Sequence, residues 1–188
     1  MSLRIGAYRA LVFWSSVIDA WGSTAGERAE PFPCDDLIEG SRTELFRAVD
    51  VAAPAAVAFR WVCQLRVAPY SYDLIDNLGR RSPRELSAGL DELAVGQRVM
   101  TIFRLVSFET GRSITIDAHT KLFGYVAVTY RVDAVEEARS RIVAKLVVAP
   151  RRGCVAWLVD RVLPAGDLVM MRKQLLTLKR MAERDAAR

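Results

Sequence analysis

Three consecutive segments between residues 112 and 149 alternate apolar and polar side chains. They read RSITIDAHTKL (112–122), YVAVTYRVD (125–133) and RIVAKLVVA (141–149). Because successive side chains of a strand point to opposite faces, this period of two indicates antiparallel strands with one buried face and one face in water. The second half of the chain is therefore predicted to form an antiparallel sheet, with turns at 123–124 and 135–140. The segment at 99–109 is apolar on both faces, which predicts a more enclosed strand.

A long amphipathic helix is predicted to follow the sheet. The segment DLVMMRKQLLTLKRMAER (167–184) places apolar residues three and four positions apart on one stripe, whereas its lysines and arginines fall on the opposite face. Asp167 is a suitable N-cap, and Pro164 and Gly166 precede it, so the helix is predicted to begin at Asp167. The stripe consists of Leu168, Met171, Leu175, Leu178 and Ala182.

One strand and two helices are predicted before the sheet. TELFRAVDV (43–51) has the pattern of a strand that Arg47 interrupts, and Pro54 suits the first turn of a helix over 55–65. A second short helix is predicted through Tyr72–Asn77 and would end at Gly79. This order of elements indicates an α+β fold in which a curved sheet wraps around the C-terminal helix.

Residues 1–42 differ from the rest of the chain. Residues 8–21 have apolar side chains at helical spacing, and the Gly-, Pro- and acid-rich sequence after them reads as a loop or extended arm. We interpret this region as an N-terminal helix and arm that dock on the domain formed by residues 43–188. A partner-binding helix is the alternative.

Composition excludes several classes of function. The net charge is +5, but the basic residues are dispersed and form no nucleic-acid-binding motif. Three separated cysteines and a single histidine give neither a disulfide framework nor a metal site, and no nucleotide-binding or hydrolase motif is present. The apolar run near the N-terminus contains Ser15, Ser16 and Asp19, which predicts no stable membrane insertion. We therefore expect a cytoplasmic protein that needs no cofactor, metal or nucleic acid.

With this order of elements, the chain resembles the START-like, or SRPBCC, superfamily of helix-grip proteins. That superfamily includes birch-pollen-allergen-like proteins and polyketide cyclase/dehydrase families. The resemblance covers roughly residues 43–185, and its more local part is similar to a bacterial subgroup described as polyketide cyclase-like. The matching segments are RAVDVAAPAAVAFRWV (47–62), QLRVAPYSYDLIDNLGRRSPREL (64–86), VGQRVM (95–100) and DLVMMRKQLLTLKRMAE (167–183).

The resemblance implies an apolar cavity between the curved sheet and the last helix, since members of the superfamily bind lipids, polyketides and other hydrophobic ligands. Tyr70, Tyr72 and Asp73 would border the cavity entrance, and they are the weak candidates for catalysis. The residues expected to contact a ligand are Trp61, Tyr70, Tyr72, Phe103, Tyr130, Met170, Met171, Gln174 and Leu175.

Each candidate residue also has a structural interpretation. The tyrosines could pack under the sheet, and Asp73 or Asp76 could cap a turn or pair with Arg80 or Arg81. His119 belongs to the outward set of its strand, which makes it a poor catalytic base. Binding of a hydrophobic small molecule is thus the leading hypothesis. The alternatives are a polyketide cyclase or dehydratase and a START-like self-resistance protein of an antibiotic pathway.

Overall fold

The chain forms one six-stranded antiparallel sheet and a long C-terminal helix. The structure is a computed structural model that describes residues 18–120, 124–150 and 154–188, without the side chains of 154–161. The strands lie in the order β1-β6-β5-β4-β3-β2. They are β1 (Thr43–Val51), β2 (Arg98–Val99), β3 (Phe103–Glu109), β4 (Ser113–Thr120), β5 (Gly124–Glu136) and β6 (Arg139–Val148).

Besides the helical residues 18–20, four α-helices accompany the sheet within the described residues, together with two short 3-10 turns at Pro33–Leu37 and Gln64–Arg66. Two of the helices follow β1, as the α+β interpretation predicted. The sheet bends at irregularities in register between Leu105 and Ser107 and between Ala134 and Glu136, because bulges of this kind curve a strand. The helices are α1 (Ala25–Ala29), α2 (Ala55–Cys63), α3 (Asp73–Asp76) and α4 (Cys154–Ala186).

The predicted strand at 43–51 is confirmed residue for residue. A strand is present over 103–109, but the chain turns at residues 100–102, where Met100 has a φ of 52°. The prediction that 99–109 is more enclosed was wrong, since only Val99 and Leu105 of this segment are buried. The resulting β2–β3 hairpin lies at the outer edge of the sheet and is largely exposed. The predicted turn at 135–140 is also shorter, since β5 runs to Glu136 and β6 begins at Arg139.

The C-terminal helix is much longer than its sequence pattern indicates. Helix α4 has 33 residues, which is about 50 Å at 1.5 Å per residue, and it contains Pro164 and Gly166 in its interior. The predicted start at Asp167 was wrong, so Asp167 is not an N-cap. The helix continues through both residues despite the local signals, and β1 contacts it at this point, because Arg47 donates a hydrogen bond to the Pro164 carbonyl and pairs with Asp167.

One face of the sheet packs against α2 and α4 and forms the main core. Strand residues such as Leu45, Ile116 and Leu146 meet Leu175 and Leu178 of α4 there, all of them buried. The spacing of the α4 residues on this face is the one predicted for its apolar stripe. The helix therefore lies across the concave face of the sheet, as expected for a helix-grip fold.

The opposite face of the sheet is covered by residues 18–42, contrary to the expectation that it faces water. Phe32, Cys34 and Ile38 pack on apolar side chains of β1, β5 and β6. Lys145 was assigned to a solvated face, but it is only 3% exposed, and its ammonium group pairs with Asp35 at 2.6 Å and with Glu44 at 3.2 Å. Its charge is neutralised by one carboxylate of the arm and one of β1 instead of by water.

Residues 18–22 fix the start of the arm against the edge strand β1. Residues 18–20 are helical, and Ala20 and Trp21 form parallel bridges to Phe46 and Arg47. Gly22 has a φ of +75°, and a Cβ atom at this position would lie 2.1 Å from the Ala48 carbonyl oxygen. The helix predicted over 8–21 otherwise lies outside the described residues. Of the helices that the structure describes, none is long and apolar enough to cross a membrane.

Candidate functional site

Most of the predicted ligand-contacting residues meet where α4 crosses the concave face of the sheet. We refer to this region, in which α4 faces β1 and β5, as the seam. Tyr72 is outside it and is 40% exposed, whereas Met170 is half-buried. The residues in or against the buried cluster are Trp61, Tyr70, Phe103, Tyr130, Met171 and Leu175, and Gln174 is buried beside Tyr130.

Tyr130 and Gln174 form a hydrogen-bonded chain across the seam. The Tyr130 hydroxyl donates to Oε1 of Gln174 at 2.7 Å, and Nε2 of Gln174 donates to the Pro69 carbonyl oxygen at 2.7 Å. Burial, and then the negative charge of Asp167, raises the pKa of Tyr130 far above its usual value, so this hydroxyl stays protonated. These two hydrogen bonds connect the sheet, α4 and the loop before α3.

Tyr70 brings an unsatisfied hydroxyl into the same region. Its ring packs edge-on against Trp61 with 6.0 Å between centroids, and its backbone has a φ of 55°. Within the described part of the chain, the buried hydroxyl has no hydrogen-bond partner. Burial raises the pKa of Tyr70 to about 12, with a further contribution from Asp73. Buried polar groups are usually satisfied, so a free hydroxyl here is available to an acceptor atom of a ligand.

Arg47 and Asp167 form a buried ion pair that the sequence analysis missed. Arg47 is 0% exposed, and its Nη2 lies 2.7 Å from Oδ2 of Asp167, while Nη1 donates to the Phe46 carbonyl oxygen at 2.8 Å. Nε of Arg47 has no partner within the described residues. Two features of the sequence could have revealed the pair. Arg47 occupies an inward position of β1, and Asp167 precedes Met171 and Gln174 by four and seven residues on one face of the helix.

Burial disfavours both charges of this pair. It raises the pKa of Asp167 to about 6, although the positive charge of Arg47 opposes that change. Burial likewise lowers the pKa of Arg47, against the effect of Asp167. Desolvation is thus the dominant influence on the Asp167 carboxyl group, which can take up a proton just below neutral pH.

The other polar candidates are occupied locally. Asp73 accepts hydrogen bonds from the Ser82 amide at 2.9 Å and from the Ser82 hydroxyl at 2.5 Å, so it organises a loop and does not bond to Tyr70. Asp76 accepts a hydrogen bond from the Ser71 hydroxyl. The suggested pairing of these acids with Arg80 or Arg81 is not found, and both arginines are exposed.

His119 is exposed, as its strand position predicted, and its ring lies edge-on to Tyr125. Among the residues that the structure describes, no three His, Cys, Asp or Glu side chains are grouped so that they could hold a metal ion. The seam offers a ligand the hydrogen-bond donors of Arg47 and Tyr70, the carboxyl group of Asp167 and apolar side chains.

Two surface depressions lie on the other side of the sheet, along the arm. A groove of about 500 Å³ is bordered by residues 19–23, Arg28, Glu44 and Phe46, and a hollow of about 150 Å³ lies beside Pro31–Pro33 and Arg131. Neither depression includes a predicted ligand-contacting residue. The predicted residues instead pack tightly in the seam, where Trp61 and Leu175 have no accessible surface.

Comparison with known proteins gives similarity at the level of structure alone. No protein-family model matches the chain, and no curated protein matches its sequence. The chain is similar in structure to the ZhuI aromatase/cyclase from Streptomyces sp. R1128, with a TM-score of 0.54 and 16% identity over 77% of this chain and 95% of that one. A protein from Thermobifida fusca has a TM-score of 0.50 and 17% identity, covering 73% of this chain and 94% of that one.

The protein Ara h 8.0201 has a TM-score of 0.49 and 9% identity over 76% of this chain and 98% of that one. At such low identities, the first two likenesses show the fold and nothing further. The fold is the helix-grip fold, as the sequence resemblance implied.

Proposed function

We propose that this protein binds a hydrophobic small molecule that carries a hydrogen-bond acceptor, such as a lipid or polyketide, between the sheet and α4. The observation that carries the proposal is the presence of unsatisfied donors in the seam, beside the apolar side chains of the core. Nε of Arg47 and the hydroxyl of Tyr70 are both buried and without partners in the described residues. A buried arginine adds little to stability, and a core packed for stability alone would satisfy such groups or replace them with apolar ones.

Binding in the seam requires movement. The residues that line it have almost no accessible surface, so a ligand has to displace side chains or separate α4 from the sheet. Apolar groups of the ligand would then contact the face of α4 that includes Met171 and Leu175, and its acceptor atom would bond to Tyr70 or Arg47. Met171 suits such rearrangement because its thioether side chain is flexible and polarizable.

Native mass spectrometry of freshly purified protein, followed by solvent extraction, tests the proposal directly. We expect a mass above that of the chain and an extracted molecule with a large apolar part and at least one oxygen acceptor. Protein without any bound molecule that also binds no apolar dye would overturn the proposal.

A pair of dyes tests the role of the free donors. Anilinonaphthalene sulfonate carries an anionic acceptor, whereas N-phenyl-1-naphthylamine has the same rings without it. Because a hydrogen bond to a charged group contributes about 1.5–3 kcal/mol, Tyr70→Phe should weaken binding of the sulfonate by about ten- to a hundredfold and leave the amine unchanged. Tyr125→Phe is the matched control, since that hydroxyl bonds to Asp117 outside the seam. Equal losses in both variants would contradict the assignment.

A cyclase or dehydratase is the second candidate function. One observation favours it, namely that Asp167 is a buried carboxyl group able to exchange a proton close to neutral pH, as a general acid or base must. Turnover of an aromatic polyketide precursor by the purified protein, abolished in Asp167→Asn, would support this function. Tyr72→Phe and Asp73→Ala test the candidates from the sequence, and unchanged turnover in both would remove those residues from the mechanism.

A self-resistance role would use the same interior to sequester a toxic product in the cytoplasm. The chemical nature of the extracted molecule distinguishes this role from lipid binding. An antibiotic-like polyketide would indicate sequestration, and a common membrane lipid would argue against it.

A further inference from the structure

Aliphatic side chains project into solvent around the short helix α3. Leu74 is 84% exposed, Ile75 is 71% exposed and Leu78 is 81% exposed. Ile102, in the turn of the β2–β3 hairpin, is also more than half exposed. We call these four residues the rim patch. Single exposed aliphatic residues are common, but three within five positions form a contiguous apolar surface, and such surfaces mark interaction sites.

The rim patch is held in place by hydrogen bonds. The Gly79 amide donates to the Asp73 carbonyl oxygen at 2.8 Å and so closes the turn that presents Leu78. The Thr101 hydroxyl donates to the Asp76 carbonyl oxygen at 3.2 Å, which joins the hairpin turn to α3. The four aliphatic side chains therefore belong to one ordered surface and not to a loose loop.

Positive charge accompanies this apolar surface. Arg80 and Arg81 lie four and five residues after the end of α3, and both are exposed without an ion-pair partner in the described part of the chain. Arg98 and Arg104 lie directly opposite each other in the β2–β3 hairpin, and both are exposed and likewise unpaired among the described residues. Like charges in directly opposed positions destabilise a sheet. Asp117 of β4 lies directly opposite Arg104 on its other side and offsets part of this repulsion, so Arg80, Arg81 and Arg98 are the cations that this surface leaves uncompensated.

Asp73 and Asp76 of α3 do not neutralise these three arginines. Asp73 accepts two hydrogen bonds from Ser82, and Asp76 accepts one from Ser71, so both carboxyl groups point into their own loop. Both are also only partly exposed. The surface thus presents aliphatic side chains and arginines outward while its carboxyl groups are withdrawn.

We infer that the rim patch is a docking surface for an anionic phospholipid bilayer. Four aliphatic side chains bury much less than the roughly 800 Å² per partner of a specific protein interface, which disfavours a stable protein complex through this patch alone. A bilayer surface needs only shallow insertion of apolar side chains together with cations that meet lipid phosphates, and the rim patch supplies both. This inference is independent of the ligand proposed for the seam.

Vesicle sedimentation with the full-length protein tests the inference. We expect binding to phosphatidylcholine vesicles that contain phosphatidylglycerol, and weak or no binding to phosphatidylcholine alone. Binding should weaken as salt is raised, because the arginines act through screened charges. Replacing Arg80 and Arg81 by serine should weaken it about fivefold per arginine, and the double variant Leu74→Ser, Leu78→Ser should weaken it by tenfold or more.

Val135→Ser is the matched control. Val135 is an exposed aliphatic residue on β5, and the strand registers place it at the end of the sheet opposite Ile102. Its replacement should leave vesicle binding unchanged, and thermal unfolding should confirm that every variant is folded. Equal binding to both kinds of vesicle, no binding to either, or an equal loss in Val135→Ser would each overturn the inference. Dimerisation that depends on Leu74 and Leu78, without vesicle binding, would identify a second copy as the occupant and also overturn it.

Discussion

Replacing Asp167 by asparagine tests whether desolvation or ion pairing dominates in the seam. The carboxyl group has a pKa of about 6 in the folded chain, compared with the ordinary value of 3.8, because burial outweighs the attraction of Arg47. At roughly 1.4 kcal/mol per pH unit, this difference corresponds to about 3 kcal/mol. Since the folded state binds this proton more tightly than the unfolded chain does, Asp167 favours folding below pH 4, and its contribution is lost as the pH rises through 6.

The expected outcome follows from the sign of this change. Asparagine resembles the protonated acid at every pH, so the free energy of unfolding of the wild-type protein should fall by about 3 kcal/mol relative to Asp167→Asn between pH 4 and 7. Urea unfolding of both proteins across this range measures the difference. Asp36→Asn, which removes an exposed carboxylate of the arm, controls for a general change of net charge.

The opposite result has a clear meaning. When pairing dominates in a buried ion pair, removal of one partner costs about 3–5 kcal/mol, because the remaining charge is left without compensation. A large loss of stability in Asp167→Asn at pH 8 that disappears at pH 4 would therefore refute the reasoning. It would show that Arg47 holds the carboxyl group in its charged form.

Three further substitutions have defined outcomes. Tyr130→Phe leaves Oε1 of Gln174 without its donor, so urea unfolding should show a loss of about 1–2 kcal/mol, and an unchanged midpoint would mean that the bond contributes nothing. Lys145→Met removes the cation between two carboxylates of the arm and strand β1. We expect the free energy of unfolding to fall by about 2 kcal/mol and proteolysis within residues 18–42 to become faster. The loss is smaller than for a fully buried ion pair because both carboxylates, Asp35 and Glu44, are partly exposed. Gly22→Ala places a Cβ atom against the Ala48 carbonyl oxygen at a positive φ and should lower stability by about 3 kcal/mol, whereas a wild-type melting temperature would show that the turn adapts.

Local sequence patterns predicted the elements of the fold correctly where apolar residues are buried and polar residues are exposed. The strand over 43–51 and the apolar stripe of α4 are correct because burial on one face repeats with the period of the element. The start of α4 could not be predicted in this way. Pro164 and Gly166 are normally found at helix ends, whereas here the helix continues through them and contacts Arg47, which lies 117 residues earlier than Pro164 in the sequence.

The candidate site was predicted in part for the same reason. The apolar and aromatic residues of the seam follow from periodicity and from the resemblance, so Tyr130, Gln174 and Leu175 were expected to lie together and do so. The pair of Arg47 and Asp167 was missed because each residue alone has an ordinary interpretation, one as an interruption of a strand and the other as a helix cap. Their connection is a tertiary contact that no local pattern contains.

Because the arm packs on the outer face of the sheet, substitutions in two regions that are distant in sequence should depend on each other during evolution. A shortened protein beginning at residue 43 would expose Phe46 and Val147 and leave the Lys145 ammonium group with one of its two carboxylate partners. Such a protein should aggregate, although it would contain every strand and the long helix. Asp35 also pairs with Arg42 at 2.9 Å. In related sequences, replacement of Lys145 by an apolar residue should therefore coincide with loss of the acid at Asp35 where Arg42 is absent as well.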